Sequence, residues 1–368
     1  MTFPLTSTGP DDERPASPRV ALAGTALVLV VAVVGLGWAK WFPYTERTRG
    51  LLDTREWPGS NILQTGSDAG SAWARGWDFA LAYGAAVWKA LLVALVVAAL
   101  MDALVPRRWL VRTLSRTTPA RSSLTGGLLS LPGMMCTCCT APLTVTMRRA
   151  GVPRSAAIAF WWGNPVLNPA VLGFLLVLAP WQWVAVRALA GLLLVVGVAA
   201  VVGSLADRRA ARRVDPAMLP GSAQPGPAPV EEAPLRQLPG RFLRCLGRLA
   251  VVLVPEYFVV VFAVGALGPW ITPALSSSST GVFVVLLAAL AGAVLVLPTG
   301  GEIPILLGLA AAGASPEVVG ALLVVLPTVS LPSAIMVGRA LGWGTTAVAS
   351  ASVVLTGLLA GGALAVLA

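Results

Sequence analysis

The chain has 368 residues, of which 57% are hydrophobic and 11% charged, with a mean hydropathy of +0.81 and a formal charge of +10. These values exclude a soluble globular domain and describe an integral membrane protein. The excess charge is arginine held in short segments between apolar runs, which reads as membrane topology and not as a nucleic-acid surface.

Residues 1–19 are polar and contain proline, so a disordered cytoplasmic N-terminus is expected. The first apolar run, residues 20–42, is long enough for the roughly 20 residues that a helix needs to cross about 30 Å of hydrocarbon. It is flanked by Lys40 and not by a small-residue cleavage site, so it is expected to be a retained helix and not a signal peptide. Residues 43–78 carry four Arg against five acids and are assigned to an external loop. Further spans are predicted near Phe79 to Val105, Ser155 to Ala179, Gln182 to Leu205, Leu249 to Leu267, Val318 to Gly338 and Thr345 to Leu367.

Five Arg between Arg107 and Arg121, and eight between Arg208 and Arg248, place both segments in the cytoplasm of a plasma-membrane (inner-membrane) protein. Residues 206–248 form a Pro- and Arg-rich linker that cannot bury a core. It separates a first transmembrane repeat, residues 79–205, from a second, residues 249–368. At an offset of 162 residues, Thr137, Pro142, Ala150, Gly151, Ala159 and Pro165 fall on Thr299, Pro304, Ala312, Gly313, Ala321 and Pro327. The matches include helix breakers in the same order.

If Leu124 to Arg149 crossed the membrane, Arg148, Arg149 and Arg154 would lie opposite the five Arg that precede it. A re-entrant hairpin turning through Gly133 to Cys139 removes that conflict. A second hairpin, broken at PTGGEIP, is expected to open to the other side, although its Gly281 to Leu297 arm is nearly long enough to span. The predicted fold is therefore an all-α polytopic membrane protein with two inverted repeats, each with a re-entrant helical hairpin, plus one extra N-terminal helix.

Where a backbone leaves a helix inside a membrane, its freed polar groups face a cavity or ligand, so the two turns are the candidate site. The first offers Cys136, Thr137, Cys138, Cys139 and Thr140; three of the four cysteines of the chain lie here, and there is no histidine. Thiolates suit soft metals and metalloids, with Cys136 and Cys138 as candidate ligands. The alternative is that these are small buried residues where helices approach closely. The second turn offers Thr299, Gly300, Gly301 and Glu302, and Glu302 is a candidate proton carrier or a cation or substrate contact; otherwise it is an exposed carboxylate at a shallow turn. Glu256 and Lys89 are read either as a buried structural pair or as a proton relay, with snorkelling a third option for Lys89. Asn164 and Asn168, each followed by proline, form a polar stripe one helical turn apart, with Thr328 and Ser330 as their counterparts. Interhelical hydrogen bonding would account for the same residues.

No phosphate loop or dinucleotide fingerprint is present, and the lack of histidine removes the usual Ser-His hydrolase arrangement, so neither a cofactor nor an enzyme activity is expected. The run Cys136-Thr-Cys138-Cys139-Thr-Ala-Pro142, the Arg149-Ala-Gly151-Val turn and Gly163-Asn-Pro-x-x-Asn-Pro169 together resemble the predicted-permease family that includes ArsP-type organoarsenical efflux permeases and YraQ-type proteins. The resemblance runs from about Phe79 to the C-terminus. It matches Cys136 and Cys138 to the family's cysteine pair, Pro142 to its proline and Asn168 to the asparagine of its broken helix. Cys139 stands where the family pattern has glycine, and PTGGEIP where many members carry a second cysteine pair.

A secondary-active exporter of a small solute is therefore expected, moving a soft metal, metalloid or thiol-reactive compound through a site between the two tips. Its surroundings are the lipid bilayer, with no nucleic acid. A membrane thiol redox protein, with Cys245 as the spare cysteine, or a passive channel are the rival readings.

Overall fold

A computed structural model describes residues 18–58, 71–105, 107–212, 238–275 and 281–368, whose regular elements are all helices, with no strand among them. The expectations for residues 1–17, for 59–70 of the external loop and for 213–237 of the linker lie outside these described residues.

Helix α1 (Pro18–Leu36) passes through a π-helical turn (Gly37–Trp41) into α2 (Phe42–Thr54). The helix thus runs on past Phe42, where the sequence places its end, with Pro43 lying just after the π-helical turn, where the regular hydrogen-bond pattern is already interrupted. Helices α3 (Ala72–Leu104) and α11 (Leu238–Leu275) have 33 and 38 residues and pack against each other. Their contact is made close by reciprocal glycines: a Cβ on Gly76 would meet Phe262 at 2.9 Å, and one on Gly265 would meet Phe79 at 2.5 Å.

Helix α4 (Arg107–Leu114) precedes α5 (Pro119–Ser130), which starts with the Thr118 side chain accepting from Arg121 N and with proline at its first position. A 3₁₀ turn (Leu131–Gly133) ends it, and α6 (Thr137–Arg149) returns. Next come α7 (Arg154–Val166) and α8 (Pro169–Leu178), then α9 (Trp181–Leu192), a second π-helical turn (Leu193–Val198) and α10 (Ala199–Arg212). The second half has α12 (Val282–Val294), an extended stretch to Pro298, α13 (Glu302–Ala311), α14 (Pro316–Thr328), α15 (Leu331–Leu341) and α16 (Trp343–Leu367).

Among the described residues, six helical segments are long and apolar enough to cross a membrane: Ala23–Thr54, Ala72–Leu104, Arg154–Leu178, Trp181–Arg212, Pro239–Gly268 and Trp343–Leu367. The pair α14 and α15, bent by 53°, makes a seventh if taken as one span. By contrast α5, α6, α12 and α13 have 12, 13, 13 and 10 residues, too short to cross singly.

Every residue of α7 from Ser155 to Val166, and of α14 from Val318 to Thr328, is buried. A helix buried on all faces lies at the centre of a bundle, and both of these helices contain a proline near their C-terminal end. Each is gripped through glycine. Gly126 of α5 lies so close to α7 that a Cβ would come within 2.2 Å of Ala156 O, and Gly361 of α16 so close to α14 that a Cβ would come within 2.3 Å of Glu317 O. Large apolar side chains such as Leu29, Val251, Val282 and Leu355 stay exposed on the outer helices, as a lipid-facing surface requires.

Candidate functional site

The first turn is set by Met134, held at φ +45°, and by Asn164 of α7, whose Oδ1 accepts from Met135 N at 2.7 Å. A Cβ on Gly133 would lie 2.6 Å from the Asn164 amide nitrogen, so this approach needs glycine. Cys136 is the extended residue before α6, while Cys138 and Cys139 already belong to its first turn. The helix therefore begins earlier than the sequence suggests. Pro142 lies inside α6, past its first turn, and so leaves Cys138 O without its helical N–H partner.

That start gathers the sulfurs. The Sγ atoms of Cys136, Cys138 and Cys139 lie within 4.8 Å of one another, with Cys136 3.1 Å from Cys138 and 3.3 Å from Cys139. All three are free and buried. Such a triangle matches the donor set of a three-coordinate soft ion or metalloid. Tyr257 of α11 donates to Cys138 Sγ at 3.3 Å, and the hydroxyl of Tyr83 of α3 lies at the same distance. Cys245 stands apart, beside Asp102 and Arg149.

The second half reaches this turn. Thr137 Oγ1 and Ser330 Oγ are 3.1 Å apart, and Ser330 Oγ is held in turn by Ser333 Oγ at 3.1 Å. The N-terminal helix ties both turns together. Trp41 Nε1 donates to Pro132 O at 3.0 Å and Tyr44 Oη to Met134 O at 3.4 Å, while Lys40 Nζ donates to Tyr44 Oη at 3.2 Å and to Thr299 Oγ1 at 3.1 Å. Lys40 is buried and lies near enough to Cys136 and Cys139 to interact electrostatically.

Glu302 is buried at the start of α13, and its Oε1 pairs with Nη2 of Arg187 at 2.9 Å. Arg187 also donates to Pro165 O at 2.9 Å and to Val166 O at 3.0 Å. These carbonyls are the ones the break releases: Pro169 has no N–H for the first, and Ala170 N turns to Asn168 Oδ1 at 3.1 Å instead of the second.

Several expectations change here. Asn164 and Asn168 do not share one helical face, because α7 ends between them; Asn164 fastens the first turn and Asn168 caps α8. Glu256 and Lys89 do not pair. Glu256 sits 3.0 Å from Arg339 of α15, and Lys89 lies over the rings of Trp38 and Trp88, at 5.3 and 5.8 Å. Glu302 is not an exposed carboxylate at a shallow turn.

Sequence reasoning missed Lys40, Arg187 and the tyrosines. Arg187 is the charge within Trp181 to Val198, and the rule that an ionisable residue inside a span is functional would have found it. The chain has three tyrosines, and all of them meet the two turns or the cysteines, a concentration visible only in three dimensions.

A cavity of about 420 Å³ lies against the second turn, lined by Lys40, Tyr44, Trp57, Pro298, Thr299 and Gly301 among others. The cysteines are not among its lining residues.

The helical spans, the broken helices and the buried sulfur and charged groups define a multi-pass membrane protein with an internal polar site. The family model described as "Predicted permease" (ArsP_1) matches residues 74–366. The UPF0718 protein YraQ of Escherichia coli (strain K12) is 35% identical over 360 residues, covering 96% of this chain and 98% of that protein. The chain belongs to this predicted permease family. No solved structure matches it.

Proposed function

We propose that the protein is a secondary-active permease that carries a small thiophilic solute, a class that takes in metalloids and thiol-reactive compounds, outward across the plasma membrane. The solute passes between the turn at Cys136 to Cys139 and the turn at Thr299 to Glu302. The observation that carries this reading is the three-sulfur cluster at a helix start, with Thr137 against Ser330 of the other half and Lys40 against Thr299.

In this reading α5 and α6 form one re-entrant hairpin and α12 and α13 the other, within inverted repeats over residues 79–205 and 249–368. The order of short helices, buried broken helix and long helix in each half supports it. The helix from Pro18 is the addition to the repeats, entered from a cytoplasmic N-terminus. Cys136 and Cys138 contact the solute, with Thr137, Cys139, Asn164, Asn168, Thr299 and Ser330 shaping the path. Glu302, released from or returned to Arg187, carries the coupling proton, with Glu256 as an outlying relay and Lys89 as an interfacial anchor.

Transport by proteoliposomes, comparing wild type with Cys136→Ser plus Cys138→Ser, tests the thiol role. Loss of flux is expected; equal flux of every transported solute would remove the cysteines from the mechanism.

A further inference from the structure

The cavity beside the second turn has charge of one sign. Among the described residues its charged lining side chains are Lys40 and Arg47, with no carboxylate. Lys40 is 7% exposed, and the acceptors of its ammonium are two neutral hydroxyls, Tyr44 Oη and Thr299 Oγ1. Among the described residues no carboxylate lies within 4.0 Å of it. Removing an ammonium from water is costly unless negative charge opposes it. Glu302, the carboxylate of the second turn, is already neutralised by Arg187.

We infer that the solute is a small anion, held with its charged end on Lys40 Nζ and Thr299 Oγ1 and its polarizable end toward the sulfurs of Cys136, Cys138 and Cys139. This rests on the permease reading above and narrows its substrate class. A bare metal cation on the sulfurs would sit beside an ammonium, with only the thiolates to offset both charges. A soft anion gains a charge-assisted hydrogen bond from Lys40, a hydroxyl and weak S–H donors.

Arg47 places a second cation at the approach to the site. Arg47, 5.0 Å from the ring of Trp57, lines this cavity and an adjoining one of about 460 Å³ that includes Pro43, Glu46 and Gly50. A cleft lined by cations raises the local concentration of anions. Lys40 and Arg47 both precede residues 74–366, so this charge sits on the helix outside the family match.

Thiocyanate, a monoanion with a sulfur end, and thiourea, its neutral counterpart, separate charge from softness. Binding of each radiolabelled probe to the purified full-length protein is measured for wild type, Lys40→Met and Lys40→Arg, together with flux in proteoliposomes. Lys40→Met is expected to weaken thiocyanate binding by about tenfold or more, equivalent to about 1.4 kcal/mol, with Lys40→Arg close to wild type and thiourea unaffected. Should Lys40→Met not fold, the preference of wild type and Lys40→Arg for thiocyanate over thiourea carries the test. Equal thiocyanate binding by wild type and Lys40→Met, or a wild-type preference for thiourea, overturns the anion assignment. Cysteine-dependent flux of thiourea without thiocyanate binding also overturns it, and leaves the permease reading intact. Lys40-dependent thiocyanate binding without flux of any solute supports the anion site and removes the permease reading.

Discussion

Arg187 Nη2 lies 2.9 Å from Glu302 Oε1, joining α9 to the first residue of α13 in a pair that is almost wholly buried. Breaking such a pair by removing one partner leaves an uncompensated charge, at a cost of roughly 3–5 kcal/mol. Glu302→Leu is expected to lose about that much stability. Arg187→Leu should lose more, because it also strips Pro165 O and Val166 O of their donor. The double variant should lose less than the sum, and denaturation midpoints of the four proteins in a double-mutant cycle read the coupling directly.

The same pair bears on coupling. Glu302→Gln keeps an oxygen for Arg187 but cannot exchange a proton. Solute counterflow should persist in this variant while accumulation driven by a pH gradient disappears. Undiminished gradient-driven accumulation would exclude Glu302 as the proton carrier.

Asn164 is the partner of a buried backbone N–H at the cysteine turn. Asn164→Ala leaves Met135 N unsatisfied, an expected loss of about 1–3 kcal/mol, and should raise the rate at which a maleimide labels Cys136. Gly133→Ala should act on the same bond from the other side, because its Cβ would collide with the Asn164 amide.

The glycines divide into two groups that a thermal-melt series can separate. Gly126→Ala and Gly361→Ala should be strongly destabilising, since each new Cβ meets a backbone carbonyl of a central helix that cannot give way. Gly308 has nothing within 4 Å of its Cβ position and lies inside α13, so Gly308→Ala should stabilise by about 0.5–1 kcal/mol.

Tyr257→Phe removes the hydroxyl that donates to Cys138 Sγ and leaves the ring in place. Soft-solute affinity should fall by about 1 kcal/mol, with little change in melting temperature. An unchanged affinity would make Tyr257 a packing residue.

The breaks were legible in outline because Pro142 and Pro165 recur as Pro304 and Pro327; these prolines lie within helices, and the breaks fall near them, before α6 and α13 and after α7 and α14. The sulfur cluster was legible as a local run. What escaped was the set of partners. Lys40 sits at the edge of an apolar run, where a lysine reads as a flank; only a helix continuing to Thr54 carries it inward. Arg187 lies far in sequence from Glu302, and no local pattern joins them. Asn164 and Asn168 misled for the opposite reason, because a four-residue spacing implies one face only while the helix stays unbroken.

Lys40, Trp41 and Tyr44 lie within five consecutive positions and between them hold Pro132 O, Met134 O and Thr299 Oγ1. One short piece of helix is thus a tie-rod between two otherwise separate turns. Any stroke that draws the turns apart must snap at least one of these links, and any stroke that keeps all of them must drag the first helix along. The segment that reads in the sequence as an appendage is the one that fastens the two turns to each other.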